Sequence, residues 1–155
     1  MATNLPLSHV VSRFNNALYM VAELVPFADD QELSPVVRMA CIEDWYTNYR
    51  LLIEFLLATP PGNCASPKDF IPGWTSASQS RGDLLKDYGM ASEDFAHIGN
   101  LKGRQTPGSV SPSGLHPKAR SILVIAEEFS QALTAQRHDF ADMIRIGVET
   151  AKAAL

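Results

Sequence analysis

The sequence predicts an all-α fold, an up-and-down bundle of four to five helices that forms a single domain over residues 1–155. Apolar residues recur at helical spacing in four or five stretches, and no stretch alternates between apolar and polar residues as a half-buried strand would. Segments rich in Pro, Gly and Ser separate these stretches. A chain of 155 residues is about the size of one domain with one core.

The first helix is expected from about Leu7 to Leu24. Its apolar residues fall on one stripe: Leu7, Val10, Val11, Phe14, Leu18, Val21 and Leu24. Pro26 is expected to end it, because proline lacks a backbone N–H and disfavours the helical conformation at the preceding residue. A short acidic segment, residues 29–32, then leads to the second helix.

The second helix has the clearest boundaries. Ser34 is expected to be its N-cap, with Pro35 at the first helical position, where the missing N–H would have no partner in any case. Pro60 and Pro61 are expected to end it. A helix of about 25 residues is roughly 37 Å long at about 1.5 Å per residue.

Two loops and two further helical stretches follow. The loop at residues 60–80 contains large apolar residues, which we expect to pack over the core. A third helix is predicted over about 83–98, and a second loop over 99–116. A last helical stretch runs from Pro117 to the end of the sequence. Residues 136–139 are polar but contain neither Pro nor Gly, so one helix and two helices are both consistent with residues 117–155.

Composition excludes several classes of function. The net charge is −4, and the 13 basic residues are scattered, which argues against a nucleic-acid-binding surface as the main function and predicts no DNA binding. The longest apolar run, residues 51–58, is too short to cross a bilayer, and no signal peptide is visible. We therefore expect a cytoplasmic protein that does not bind membranes.

No cofactor or metal site is predicted either. Cys41 is expected to be a small buried residue inside a helix, and Cys64 an exposed thiol in a loop. His138 and Asp142 have the i,i+4 spacing of one edge of a metal site. No motif elsewhere supplies the further ligands that a metal ion needs.

A polar stripe runs along the second helix. Four side chains fall within about 60° of one another at about 100° per residue: Glu43, Thr47, Arg50 and Glu54. Most other residues of this helix are apolar. The stripe is either a solvated strip with an Arg50–Glu54 ion pair, or a polar seam facing another helix or a cleft. Asn48 lies apart from it, and a buried Asn would use its amide in hydrogen bonds that specify helix register.

Residues 43–56, Trp74, and residues 95–98 together with Arg104 resemble the pattern of a family of uncharacterised bacterial all-helical proteins. That pattern has Glu, then His-x-Arg-x-Leu-Ile-Asp-Phe on one long helix, and later Ala-His-Leu followed by Arg. The layout is similar to HEPN-like bundles, in which a helix pair can carry an Arg-x(4–6)-His ribonuclease motif. Here Asn48 stands where the pattern has His, and no Arg precedes a His at the ribonuclease spacing.

The resemblance implies one candidate catalytic cluster, formed by Glu43, Arg50 and His97 between the second and third helices. It would require His97 to approach Arg50, which the sequence does not establish. Asn48 cannot act as an acid or base near neutral pH. This departure from the pattern favours a function without catalysis.

Two functions are therefore predicted. The first is a non-catalytic helical interaction module that forms a homodimer or binds another helical protein. It follows from the apolar surface of the second helix, which is more than a bundle of this size is expected to cover. The alternative is a HEPN-like enzyme, or a degenerate relative of one, that acts on RNA with the Glu43, Arg50 and His97 cluster.

Overall fold

The computed structural model describes residues 6–58, 64–95, 114–136 and 138–155. This part of the chain contains five α-helices and no strand, which confirms the all-α prediction. The helices are α1 (Leu7–Asp29), α2 (Pro35–Leu56), α3 (Arg81–Phe95), α4 (Leu115–Thr134) and α5 (His138–Ala154). A short 3₁₀ helix, Pro67–Asp69, lies between α2 and α3. None of the helices in the described ranges is both long enough and apolar enough to cross a bilayer.

The prediction that Pro26 ends α1 is wrong, since the helix continues to Asp29. Pro26 is exposed on the outer side of α1, whereas Val25 and Ala28 are buried in the core. Proline removes one helical hydrogen bond. Burial of the apolar side chains on the inner side of the last turn favours the helical conformation there. Tertiary packing therefore outweighs the local preference.

The predicted start of α2 is confirmed. The backbone N–H of Val37 donates to the Ser34 hydroxyl oxygen at 3.3 Å, and Pro35 occupies the first turn. The helix ends at Leu56, a few residues earlier than expected. The N–H groups of Leu57 and Ala58 both donate to the carbonyl oxygen of Ile53, at 2.8 and 3.1 Å, which gives that carbonyl group two partners at the end of the helix.

The last helical stretch is two helices, and Gln136 lies in the turn between them. The N–H of Gln136 donates to the carbonyl oxygen of Leu133 at 2.9 Å. Beyond the turn, α5 runs back along α4, and the Lys152 ammonium lies 2.7 Å from the Glu127 carboxylate. The break allows the apolar faces of both helices to contact the same core.

Successive helices alternate in direction. Between α1 and α2, Arg38 Nε donates to the Ala28 carbonyl oxygen, and the Trp45 indole N–H donates to that of Val21 at 2.8 Å, so the two helices are antiparallel. Lys118 at the start of α4 lies beside Asp87 of α3, and Glu128, later in α4, contacts Ser76 in the loop before α3. These two helices are therefore antiparallel as well. Tyr49 and Lys118 both contact Asp87, and Phe55 contacts Phe129, so α2 and α4 run in the same direction. Because α5 is antiparallel to α4, the bundle is up-and-down, and α1 and α5, which are in contact, run in the same direction.

Aromatic side chains fill the centre of the bundle. The ring of Phe129 lies 5.0–6.4 Å, centre to centre, from four other rings, those of Phe14, Phe55, Phe70 and Trp74. Edge-to-face contacts of this kind stabilise a core beyond the area that they bury. Phe70 and Trp74 come from the loop after α2, which confirms that this loop packs over the core.

Candidate functional site

The polar stripe predicted on α2 lies on the outer side of that helix. Glu43 and Thr47 are exposed, while Arg50 and Glu54 are half-buried. The buried residues of α2 lie on the opposite side and include Trp45 and Leu52. The first half of the stripe is therefore solvated, and the second half is partly enclosed.

The Arg50–Glu54 ion pair expected for a solvated strip is not formed. Among the described residues, no salt bridge involves Arg50 or Glu54. Glu54 instead accepts a long hydrogen bond of 3.5 Å from the hydroxyl of Tyr88 on α3. Only the Glu54 end of the stripe thus faces another helix.

Asn48 is buried, and its amide is used within α2. Its Nδ2 donates to the backbone carbonyl oxygen of Asp44 at 2.9 Å and lies 3.3 Å from the Asp44 carboxylate. Both acceptors belong to the residue one turn earlier, so these bonds stabilise the helix locally. Asn48 therefore satisfies its donor without linking α2 to a neighbouring helix.

The candidate catalytic cluster is only partly described. Glu43 and Arg50 lie on the same side of α2, about two turns apart. His97 and Arg104 lie outside the described residues, so the approach of His97 to Arg50 stays a prediction. The metal interpretation of His138 and Asp142 gains no support, because Asp142 lies 3.2 Å from the Arg145 guanidinium. No group of three His, Cys, Asp or Glu residues suited to a metal ion occurs in the described ranges.

The two cysteines are not joined by a disulfide. Cys64 is exposed, as expected. Cys41 is half-buried, which makes it less enclosed than the expected small core residue.

Sequence reasoning missed a polar connection between three helices. The carboxylate of Asp87 on α3 accepts a hydrogen bond of 3.0 Å from the Tyr49 hydroxyl of α2. Its other oxygen lies 2.8 Å from the Lys118 ammonium of α4. Burial, together with the Asp87 charge, raises the pKa of Tyr49 well above its ordinary value, so the phenol stays protonated. The signal in the sequence was an aspartate three residues after Leu84, on the apolar side of α3.

This connection borders a shallow groove of about 160 Å³ between α3 and α4, lined in part by Asp83, Asp87 and Lys118. Both carboxylate oxygens of Asp87 are already bonded within the protein, and Lys118 neutralises its charge. The groove therefore offers little unused bonding capacity, and we interpret the connection as a tether that holds α3 against the bundle.

The start of α2 has a more unusual surface. The first buried residue of this helix is Ile42, so none of residues 35–41 is buried. This segment is nevertheless almost entirely apolar, and Val36 is 79% exposed. Comparison with protein-family models, with curated proteins and with solved structures gives no match.

Proposed function

We propose that the protein is a non-catalytic helical interaction module that self-associates through the outer side of α2. The observation that carries this proposal is the exposed apolar start of α2, in which two helical turns contain no buried residue. Contiguous apolar surface of this kind is typical of a site where another protein binds.

The distribution of exposed apolar side chains supports the same surface. Nine large apolar residues in the described ranges are exposed, and six of them belong to the α1–α2 hairpin: Tyr19, Phe27, Val36, Val37, Met39 and Leu51. The end of α1 lies beside the start of α2, because Arg38 Nη1 donates to the Gln31 side chain and Arg38 Nε to the Ala28 carbonyl oxygen. Phe27 is therefore close to the first turns of α2.

The polar residues of α2 fit an interface better than a catalytic site. Asn48, which is buried, stands where the pattern that the chain resembles has histidine, and its amide is bonded within the helix. Thr47 donates to the Glu43 carbonyl oxygen at 3.0 Å, so its hydroxyl is also used locally. Dimers with twofold symmetry are the commonest soluble oligomers, which makes a second copy the simplest partner.

The proposal is tested by Val36→Glu, with Ile146→Glu on α5 as the matched control. The first turn of α2 contains no acidic residue, so a glutamate there improves the interaction with the helix dipole and should not destabilise the monomer. In an interface the same carboxylate would lose its water next to apolar groups, and this would weaken the dimer. Ile146 is 57% exposed and lies on a different helix.

Sedimentation equilibrium over a range of concentrations should show a dimer for the wild type. We expect Val36→Glu to raise the dimer dissociation constant by about tenfold or more, which corresponds to about 1.4 kcal/mol. The control should behave as the wild type. A wild-type protein that stays monomeric throughout, or equal weakening by both variants, would refute self-association through α2.

The RNA-acting alternative stays a prediction, since its histidine lies outside the described residues. It is tested by incubating mixed RNA with the wild type and with His97→Ala. Cleavage that disappears in the variant would favour this alternative. Equal cleavage by the two proteins, or none by either, would remove it.

A further inference from the structure

We infer that the partner of α2 is the α2 helix of a second copy. The two helices pack antiparallel about a twofold axis that passes between Tyr46 and Thr47. Glu43 of each copy pairs with Arg50 of the other. This inference rests on the proposed self-association and specifies its geometry.

The outer side of α2 is defined here by the residues within about 60° of Thr47 around the helix axis. They are Val36, Ala40, Glu43, Asp44, Arg50, Leu51 and Glu54. Glu43 is exposed, Arg50 is half-buried, and neither takes part in a salt bridge within the described chain. Among the charged residues of this surface, Glu43 and Arg50 therefore carry opposite charges that have no ionic partner in the described part of their own copy.

The spacing of these two charges is self-complementary. Glu43 and Arg50 are seven residues apart, which places them about 10.5 Å apart along the helix axis, too far for an ion pair within one helix. Their midpoint lies between Tyr46 and Thr47. A twofold axis through that point, perpendicular to the helix, brings Glu43 of one copy to the level of Arg50 of the other. Both residues lie on the same side of Thr47, so the pair faces across the contact and forms twice.

The apolar residues of the surface obey the same symmetry. Ala40 and Leu51 lie on the other side of Thr47, and their midpoint is within about one residue of the proposed axis. The axis therefore brings Leu51, which is 48% exposed, next to the small Ala40 of the other copy. One edge of the contact would contain two ion pairs, and the opposite edge two apolar contacts with the exposed Asp44 of each copy at its rim. No like charges would face each other at the same level.

The closing experiment reverses the charges singly and together. Glu43→Arg should weaken the dimer about tenfold, because it removes both ion pairs and places like charges together. Arg50→Glu should have a similar effect. The double variant Glu43→Arg/Arg50→Glu should restore the wild-type dissociation constant, since the swapped charges form the same pairs. Because the two positions cannot reach each other within one helix, restoration requires a second copy. Arg120→Glu, an exposed position on α4, controls for net charge.

A crosslinking experiment tests the axis itself, in a background in which Cys41 and Cys64 are replaced. Thr47→Cys should form a disulfide-linked dimer under mild oxidation, because a residue beside a twofold axis faces its own copy. Thr150→Cys, an exposed threonine on α5, should not.

The two proposals fail in different ways. A wild-type dimer whose dissociation constant is unaffected by both single reversals, or that the double variant does not restore, would overturn the pairing and leave self-association standing. A dimer that crosslinks through residue 150 and not through residue 47 would overturn the position of the axis. A strictly monomeric wild type would refute the proposed function and this inference together.

Discussion

Gly147 gives the sharpest test of the packing between α1 and α5. A Cβ atom built at this position would lie 2.6 Å from Cγ of Asn15 and closer still to its Oδ1. The amide of Asn15 lies against the backbone of α5 and donates to the Met143 carbonyl oxygen at 2.8 Å. Gly147 is therefore the residue that allows the Asn15 side chain to lie between the two helices.

The expected effect of Gly147→Ala is the difference between two contributions. Alanine in a helix interior gains about 0.5–1 kcal/mol over glycine. Against this, an overpacked contact costs about 1–3 kcal/mol, and the displaced Asn15 loses a hydrogen bond of about 0.5–1.5 kcal/mol. We expect a net loss of about 2 kcal/mol in the free energy of unfolding. At Gly89 on α3, nothing lies within 4 Å of an added Cβ. Gly89→Ala should therefore stabilise the protein by about 0.5–1 kcal/mol.

The assay is urea unfolding followed by far-UV circular dichroism. The pair Asn15→Ala/Gly147→Ala should recover most of the lost stability, since the obstructing amide is then absent. Asn15 Oδ1 is the only buried side-chain polar atom in the described ranges without a hydrogen-bond partner, so its removal has a small cost. Stabilisation by Gly147→Ala equal to that by Gly89→Ala would refute the reasoning. So would a double variant no more stable than the single one.

Three further predictions concern the polar contacts of the bundle. The pKa of Tyr49 is raised in the folded state, so the contribution of this phenol to the free energy of unfolding should be complete below a pH of about 10. Above that pH the phenol ionises in the unfolded chain, and the contribution should be lost. Tyr49→Phe should flatten this pH dependence in unfolding experiments between neutral and alkaline pH. Asp87→Asn should destabilise the protein by about 1–2 kcal/mol and increase amide hydrogen exchange mainly in α3, because Lys118 loses its ionic partner; uniform exchange changes would contradict the tether. Glu128→Ala should cost about 1–3 kcal/mol, because its carboxylate accepts from the Ser76 hydroxyl at 2.6 Å and from the next backbone N–H at 2.8 Å. Limited proteolysis should then cut the loop before α3 faster than in the wild type.

The parts of the fold that were predictable depend on local chemistry. Ser34 and Pro35 determine the start of α2 through a hydroxyl acceptor and a fixed backbone angle, and both act without help from the rest of the chain. Pro26 was misjudged for the opposite reason. Its local preference competes with the burial of its neighbours Val25 and Ala28, which only the folded bundle reveals. The turn around Gln136 has no Pro or Gly and is likewise a result of tertiary packing.

The candidate site was harder to predict, because apolar residues in a sequence do not reveal whether they are buried. Val36 and Leu51 are as apolar as the buried residues of α2, yet both are exposed on its outer side. The four residues of the stripe were identified from the helical spacing, but whether they are solvated depends on the position of α2 in the bundle.

The contact between α1 and α5 also has a consequence for the order of folding. Asn15 and Met143 are 128 residues apart in sequence, so this side of the bundle closes only after α5 has been synthesised. The α1–α2 hairpin, by contrast, is joined by a short connection and can form early, since contacts close in sequence have a small loop-closure cost. During synthesis, the part of α1 that packs against α5 would stay exposed until α5 arrives. The interval between these two events is when a nascent chain of this protein would be most prone to aggregation.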